Sequence, residues 1–295
     1  MGWRKYLRIV LLGLLVSGFG TVRAGDLDAV RQAGVLRHLG VPYANFVTGS
    51  GDGLDVELMR GFARHLGVKY RFVQTDWAQA FGDLTGRHAR REGDRAQLLE
   101  ATPVRGDVLA NGVTILRWRS ELVDFSDPTF PSGVWLVARA HSTVHPITPS
   151  GNLDSDIARV KKLMKGKSVL ALENTCLDPG LYGIEKTGAR LKLANSKVQL
   201  NEMAPAVLKG EAETTLLDVP DALIALEKWP GQLKVIGPVS GRQEMAVAFP
   251  KTAPKLRAAF NQYLRTIQQD GSYLKLVKRY YPGVLDHYSA FFADR

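Results

Sequence analysis

The strongest constraint in this sequence is an alternation that occurs twice. Short apolar runs of strand length trade places with apolar stripes of helical period, so the chain builds α/β units rather than a sandwich. In the first pass, residues 35–39 read as a strand. Val56, Met59, Phe62, Ala63 and Leu66 then form a helical stripe that Gly67 stops, and residues 69–73 return as the next strand. That order is one βαβ unit. A strand at 108–110, a turn-rich run and a long apolar strand at 133–138 continue it. The second pass takes in a helix ending at Gly166, a strand at 168–172, a helix opened by Thr175, helical residues 220–228 and a strand at 233–236. Residues 244–249 read as a second long strand, and helices over 254–268 and 271–280 follow. The pattern predicts lobe 1 over 25–137 and 243–295 and lobe 2 over 138–242, joined by two crossover strands that form a hinge. The cleft between such lobes is the expected binding site.

The start of the chain reads differently. A basic segment, Met1 to Arg8, leads into an apolar run over 9–19 and small residues at Val22 and Ala24, the layout of a signal peptide cleaved after Ala24. The apolar run falls short of the roughly 20 residues that span a bilayer. The expected product is a soluble periplasmic protein, with no cysteine at its new terminus to carry a lipid. Four of the basic residues behind the formal charge of +10 lie in this leader, which leaves about +6. The densest basic run, Arg87 to Arg91 with Arg95, is broken by Glu92 and Asp94 and lacks aromatic residues for base stacking. It reads as a solvated loop, and no nucleic-acid partner is expected. Cys176 is the only cysteine and has no partner for an internal disulfide. The six histidines are scattered, with His141 and His145 in a Pro-bearing connector, so neither metal nor cofactor is expected.

Specific motifs sit on this frame. Residues 53–58, Thr75-Asp76-Trp77, the run from Gly112 to Arg119 and the run from Val123 to Pro128 resemble, in order and spacing, the periplasmic polar-amino-acid-binding proteins of ABC importers, solute-binding protein family 3. Lys165 to Lys167, Asn174-Thr175 and the run from Gly210 to Asp218 continue the likeness. The resemblance implies a two-lobed type 2 periplasmic binding fold, a monomer that takes up an amino acid or related carboxylate and passes it to an ABC transporter permease. It further implies that Arg119 forks onto the ligand carboxylate, a task suited to guanidinium geometry. Thr114 matches a hydroxyl donor, Gly112 a backbone contact, Asp218 the acceptor of the α-ammonium, and Tyr43 and Trp77 aromatic walls, with Phe46 a weaker third. Thr175, read as a helix start, places N–H groups against the same carboxylate. Asp218 also reads as the N-cap of the helix after it.

Departures from that pattern bear on the side-chain end of the ligand: Gly40 stands where the glutamine-binding type has an acidic residue, Leu116 replaces a threonine, and Asn174 replaces a glycine. Residues 86–105 form a longer polar connection than the pattern carries. Two other functions stay open from sequence: an enzyme like the cyclohexadienyl dehydratases, with Glu173 as its acid, and a receptor module that senses the ligand. Cys176 reads as a packed residue, or as a reactive thiol if a helix N-terminus lowers its pKa.

Overall fold

The structure, a computed structural model, describes residues 26–195 and 198–293; the expected leader lies outside the described residues. The first stretch holds α1 (Leu27–Ala33), β1 (Val35–Gly40), α2 (Leu54–Leu66), β2 (Lys69–Gln74), α3 (Ala80–Thr85), β3 (Arg87–Glu92), β4 (Arg95–Ala101), β5 (Val108–Thr114), α4 (Arg117–Ser120), β6 (Val123–Phe125) and β7 (Phe130–Ser132). The middle holds β8 (Val134–Arg139), α5 (Leu153–Leu163), β9 (Ser168–Ala171), β10 (Arg190–Leu193), α6 (Met203–Leu208), β11 (Thr214–Asp218), α7 (Val219–Lys228) and β12 (Leu233–Pro238). The last stretch holds β13 (Gln243–Pro250), α8 (Pro254–Gln269), α9 (Ser272–Tyr280) and α10 (Leu285–Ala293).

Both large sheets follow one plan. In the first, ordered β2-β1-β5-β13-β6 with β7 also on β13, strands β2, β1 and β5 are parallel and β13 runs against them. In the second, ordered β10-β9-β11-β8-β12, strands β10, β9 and β11 are parallel and β8 runs against its neighbours. Each antiparallel strand is the one that has just arrived from the other lobe. Gly133 alone separates β7 from β8, and residues 239–242 link β12 to β13. The two crossings are bonded to each other: Val134 N–H donates to Ser240 Oγ at 2.8 Å and Val239 N–H to Val134 O at 2.7 Å.

The period of the sequence explains the packing. Strand β5 is buried along its whole length, as a central strand covered on both faces must be. The α2 stripe of Val56, Met59, Phe62, Ala63 and Leu66 faces the core as expected. In α/β sheets, ligand sites form beyond the carboxyl ends of parallel strands. Here those ends meet across the cleft: β1 leads to Tyr43, β2 to Trp77, β5 to Arg119, β9 to Thr175, and β11 ends on Asp218.

Two expectations are corrected. Residues 86–105 hold an antiparallel hairpin, not a loop: β3 and β4 pair from Arg87↔Ala101 to Glu92↔Arg95 around the two-residue turn Gly93-Asp94. Thr175 does not open a helix. The chain passes through turns with Asn174 left-handed at φ 60°, and what comes next is a short 3-10 turn, Pro179–Leu181. Pro179 disfavours helical geometry at Asp178, and it is Asp178 that caps this turn, accepting from Gly180 N–H.

Candidate functional site

Arg119 sets the chemistry of the cleft. It lies on the single turn of α4 and is 2% exposed, yet among the described residues it has no carboxylate within 4.0 Å. Its Nη1 donates to Thr114 O at 3.0 Å, and its Nε has no hydrogen-bond partner. Three aromatic rings hold it in place instead, Trp77, Phe81 and Trp118, with ring centroids 5.7, 5.4 and 5.4 Å from the guanidinium carbon. Such contacts position a cation without neutralising it. Burial pulls the guanidinium down from its ordinary value, but guanidinium does not surrender its proton in proteins. The Thr114 hydroxyl, 1% exposed, makes no hydrogen bond of proper geometry although it lies beside the Cys176 thiol.

The facing lobe presents acid. Asp218 ends β11 and caps α7, its Oδ1 accepting from Asp221 N–H at 3.1 Å. Its Oδ2 accepts from the Tyr43 hydroxyl, which reaches across from the first lobe, and from the Cys176 thiol at 3.3 Å. Burial pushes both Asp218 and its neighbour Asp221 upward, and Asp221 Oδ2 has no hydrogen-bond partner. Burial also raises the Tyr43 phenol, so it stays a neutral donor.

Tyr43 and Trp77 stand edge to face with centroids 5.9 Å apart, and Trp77 lines a cavity of about 400 Å³ between the lobes with Asp76, Gln79, Glu173, Thr175 and Gln199. Phe46 packs in the core against Tyr43, Phe130 and Tyr281. Gly112 lies beneath it at φ 55°, where an added Cβ would come within 2.4 Å of the Phe46 ring, so only glycine fits. Its N–H is committed inside the lobe, to Asp55 Oδ2 at 2.7 Å. Thr175 is buried, and its hydroxyl ties a turn, donating to Leu172 O at 2.7 Å and accepting from Leu177 N–H at 3.0 Å. Without a helix there, only the Arg119 charge and the Thr114 hydroxyl favour the Cys176 thiolate, and they are outweighed. Burial and the Asp218 carboxylate raise it well above its ordinary value.

The structure therefore gathers Tyr43, Trp77, Thr114, Arg119, Thr175 and Asp218 at one cleft and leaves Gly112 as its packed floor. Sequence reasoning missed Tyr182 and Gln243. The Tyr182 hydroxyl donates to Cys176 O at 2.5 Å and accepts from Gln243 Nε2 at 3.2 Å, which ties the cleft loop to the start of crossover strand β13. The only trace of this in the sequence is the polar pair Gln243-Glu244 opening a strand that is apolar from Met245 onward.

Solved structures share this architecture. A mutant of ArgBP from T. maritima superposes with a TM-score of 0.67 at 23% identity, over 87% of this chain and 99% of that one. The substrate binding protein of an amino acid ABC transporter gives 0.65 at 18% identity, over 84% and 99%. An ancestral amino acid-binding protein described as a precursor of cyclohexadienyl dehydratase gives 0.64 at 21%, over 86% and 98%. Among curated proteins, the membrane-bound lytic murein transglycosylase F of Desulfosudis oleivorans is 25% identical over 185 residues, which is 61% of this chain. The matched stretch is 37% of that relative's length, so the chain spans only part of it. The solved structures share the two-lobed fold, and residues 95–283, from the hairpin through the cleft loops to the end of α9, match one family directly: the chain belongs to the bacterial extracellular solute-binding proteins, family 3.

Proposed function

We propose that this protein is a periplasmic solute-binding protein that closes its lobes on a small α-amino acid and delivers it to an ABC transporter permease. The observation that carries this reading is the buried Arg119 guanidinium without a carboxylate of its own. An unpaired buried charge is costly, and a ligand carboxylate accepted in fork geometry offsets that cost. The opposite wall has the complementary need, since Asp218 and Asp221 are buried acids with no cation within 4.0 Å among the described residues. A zwitterion answers both walls at once, with its carboxylate on Arg119 and its ammonium at Asp218. Trp77, half-buried beside the cavity, forms the wall for its side chain.

In this reading the protein is made with a leader over residues 1–24 that export removes, works as a monomer and performs no chemistry. Glu173, the carboxyl that an enzyme would recruit as acid, sits exposed at the rim of the cleft. The test is a thermal-shift screen of the protein without its leader against single amino acids, their des-amino acids and dicarboxylates. A true ligand at about 100 times its Kd adds roughly 2.7 kcal/mol of apparent stability. No shift with any amino acid at millimolar concentration would reject the proposal, and product formed from prephenate or arogenate would replace it with an enzyme.

A further inference from the structure

The β3–β4 hairpin belongs to the first lobe but ends on the second. It is anchored at home at both ends: at the root Thr102 N–H donates to Gly86 O at 3.0 Å, and nearer the tip Ala96 N–H donates to Glu121 Oε2 at 2.9 Å. Near its tip, Arg91 crosses the gap between the lobes. Nε donates to Asp178 Oδ2 at 3.0 Å and Nη2 to Asp178 Oδ1 at 2.6 Å, a forked pair with side chains 14% and 6% exposed. The backbone N–H of Arg91 donates to Asn174 Oδ1 at 3.1 Å.

The receiving loop is shaped for this guest. Each Asp178 oxygen accepts a second bond from the loop itself, Oδ2 from Asn174 N–H and Oδ1 from Gly180 N–H, both at 3.0 Å. The carboxylate is thereby fixed in orientation before Arg91 arrives. Gly180 leaves room for the guanidinium, since an added Cβ would lie 2.5 Å from Arg91 Nη2 and push it from this position. The loop over 173–178 also carries Thr175 and Cys176 into the cleft, so whatever holds its outer edge holds the site's wall as well.

We propose that the hairpin is a built-in clasp: Arg91 of one lobe locks onto Asp178 and Asn174 of the other, holding the cleft closed and retaining a captured solute. A pair this well shielded from water is weakly screened by salt and rigid in geometry. The clasp adds to closure independently of which solute is bound, so its test needs none and stands apart from the amino-acid reading. The neighbouring Arg90 is bonded differently: its side chain bonds to Gln97 within its own hairpin and, among the described residues, makes no hydrogen bond or ion pair to the second lobe.

The experiment is small-angle scattering of the leader-free protein, unfolded in urea and refolded to strip any carried ligand, as wild type and as the variants Arg91→Ala, Arg91→Lys and Arg90→Ala. Circular dichroism confirms that each is folded. The expected result is a shift to a larger radius of gyration in Arg91→Ala, a smaller shift in Arg91→Lys, which keeps the charge but loses the fork, and none in Arg90→Ala. The proposal is overturned if Arg91→Ala keeps the wild-type radius, or if Arg90→Ala opens the protein as far, since the effect would then be general charge and not a clasp.

Discussion

Two arginines lie where the lobes meet, and they are treated in opposite ways. Arg91, at the mouth of the cleft, has a forked carboxylate partner that accepts four hydrogen bonds in all. Arg119, at the bottom, is more deeply buried and has only a carbonyl and three aromatic faces. A folded chain that can satisfy one interlobe guanidinium so fully is not short of acids. Asp218 stands on the facing wall, yet its contacts go to Tyr43, Cys176 and the start of α7. The difference separates a charge whose partner is part of the fold from one whose partner must come from outside.

The sharpest way to break that comparison is to remove the guanidinium. Arg119→Ala should cost about 2–5 kcal/mol of binding for the tightest amino acid from the screen, because it strips a desolvated carboxylate of its partner. Calorimetry decides, and unchanged affinity would mean that Arg119 is a packed cation and not a grip.

Asp218→Asn probes the opposite wall with a smaller effect. The amide keeps the cap on α7 but removes the counter-charge for an ammonium, worth roughly 1.5–3 kcal/mol for a hydrogen bond to a charged group. The loss should be large for an amino acid and slight for its des-amino analogue. Equal losses for the two would make Asp218 a helix cap alone and take the α-amino group out of the ligand.

Much of this was legible in the sequence, and the failures have physical causes. Helix α2 announces itself because it buries one regular face, and periodicity encodes that; β9, buried along its length, shows as a short apolar run, and β2, exposed or half-buried throughout, shows by its aromatic and β-branched residues. Asp218 was legible as a cap because Asp-Val-Pro is a helix start whichever ligand is near. The hairpin was invisible because Arg87 to Glu92 is almost wholly charged or polar and Arg95 to Ala101 sets Leu98 and Leu99 side by side, so no alternation marks either run as a strand. Its one signal was the turn pair Gly93-Asp94 between the two runs. Thr175 misled because its capping pattern is local, and Pro179 four residues on overrides it. The Arg91–Asp178 pair spans 87 positions and exists only once both lobes are folded. No spacing rule reaches that far.

A buried carboxyl shows what Arg119 is denied, since an acid without a partner can shed its charge. Asp55, beneath Gly112 in the first lobe, is pushed up by burial to about 7, opposed only by the Gly112 N–H. The folded value lies above the unfolded one, so its contribution to stability is complete below pH ~4 and is lost as pH rises through about 7. His38, buried and lowered to about 4, acts in the opposite direction over much of the same range. Comparing Asp55→Asn with wild type cancels the histidine. The stabilisation by Asn should be on the order of 1–3 kcal/mol larger at pH 8 than at pH 5 by urea unfolding. A difference independent of pH would show that Asp55 keeps its charge at neutral pH.

The smallest effect is expected at Cys176, which touches both halves of the comparison: its thiol donates to Asp218, and its loop is held from outside by Arg91. A thiol is a weak donor, and Asp218 retains the Tyr43 hydroxyl when it is lost. Cys176→Ala should therefore change ligand affinity by less than about 1 kcal/mol, well below the loss from Arg119→Ala. Burial keeps this thiol protonated near neutral pH, so iodoacetamide at pH 8 should modify the folded protein far more slowly than the unfolded chain. The same rate should rise in Arg91→Ala, where the wall carrying Cys176 is no longer clasped. A Cys176→Ala variant that loses binding as completely as Arg119→Ala would place the thiol among the groups that grip the ligand, and rapid alkylation of the closed protein would contradict the sealed cleft in which Arg119 waits for its carboxylate.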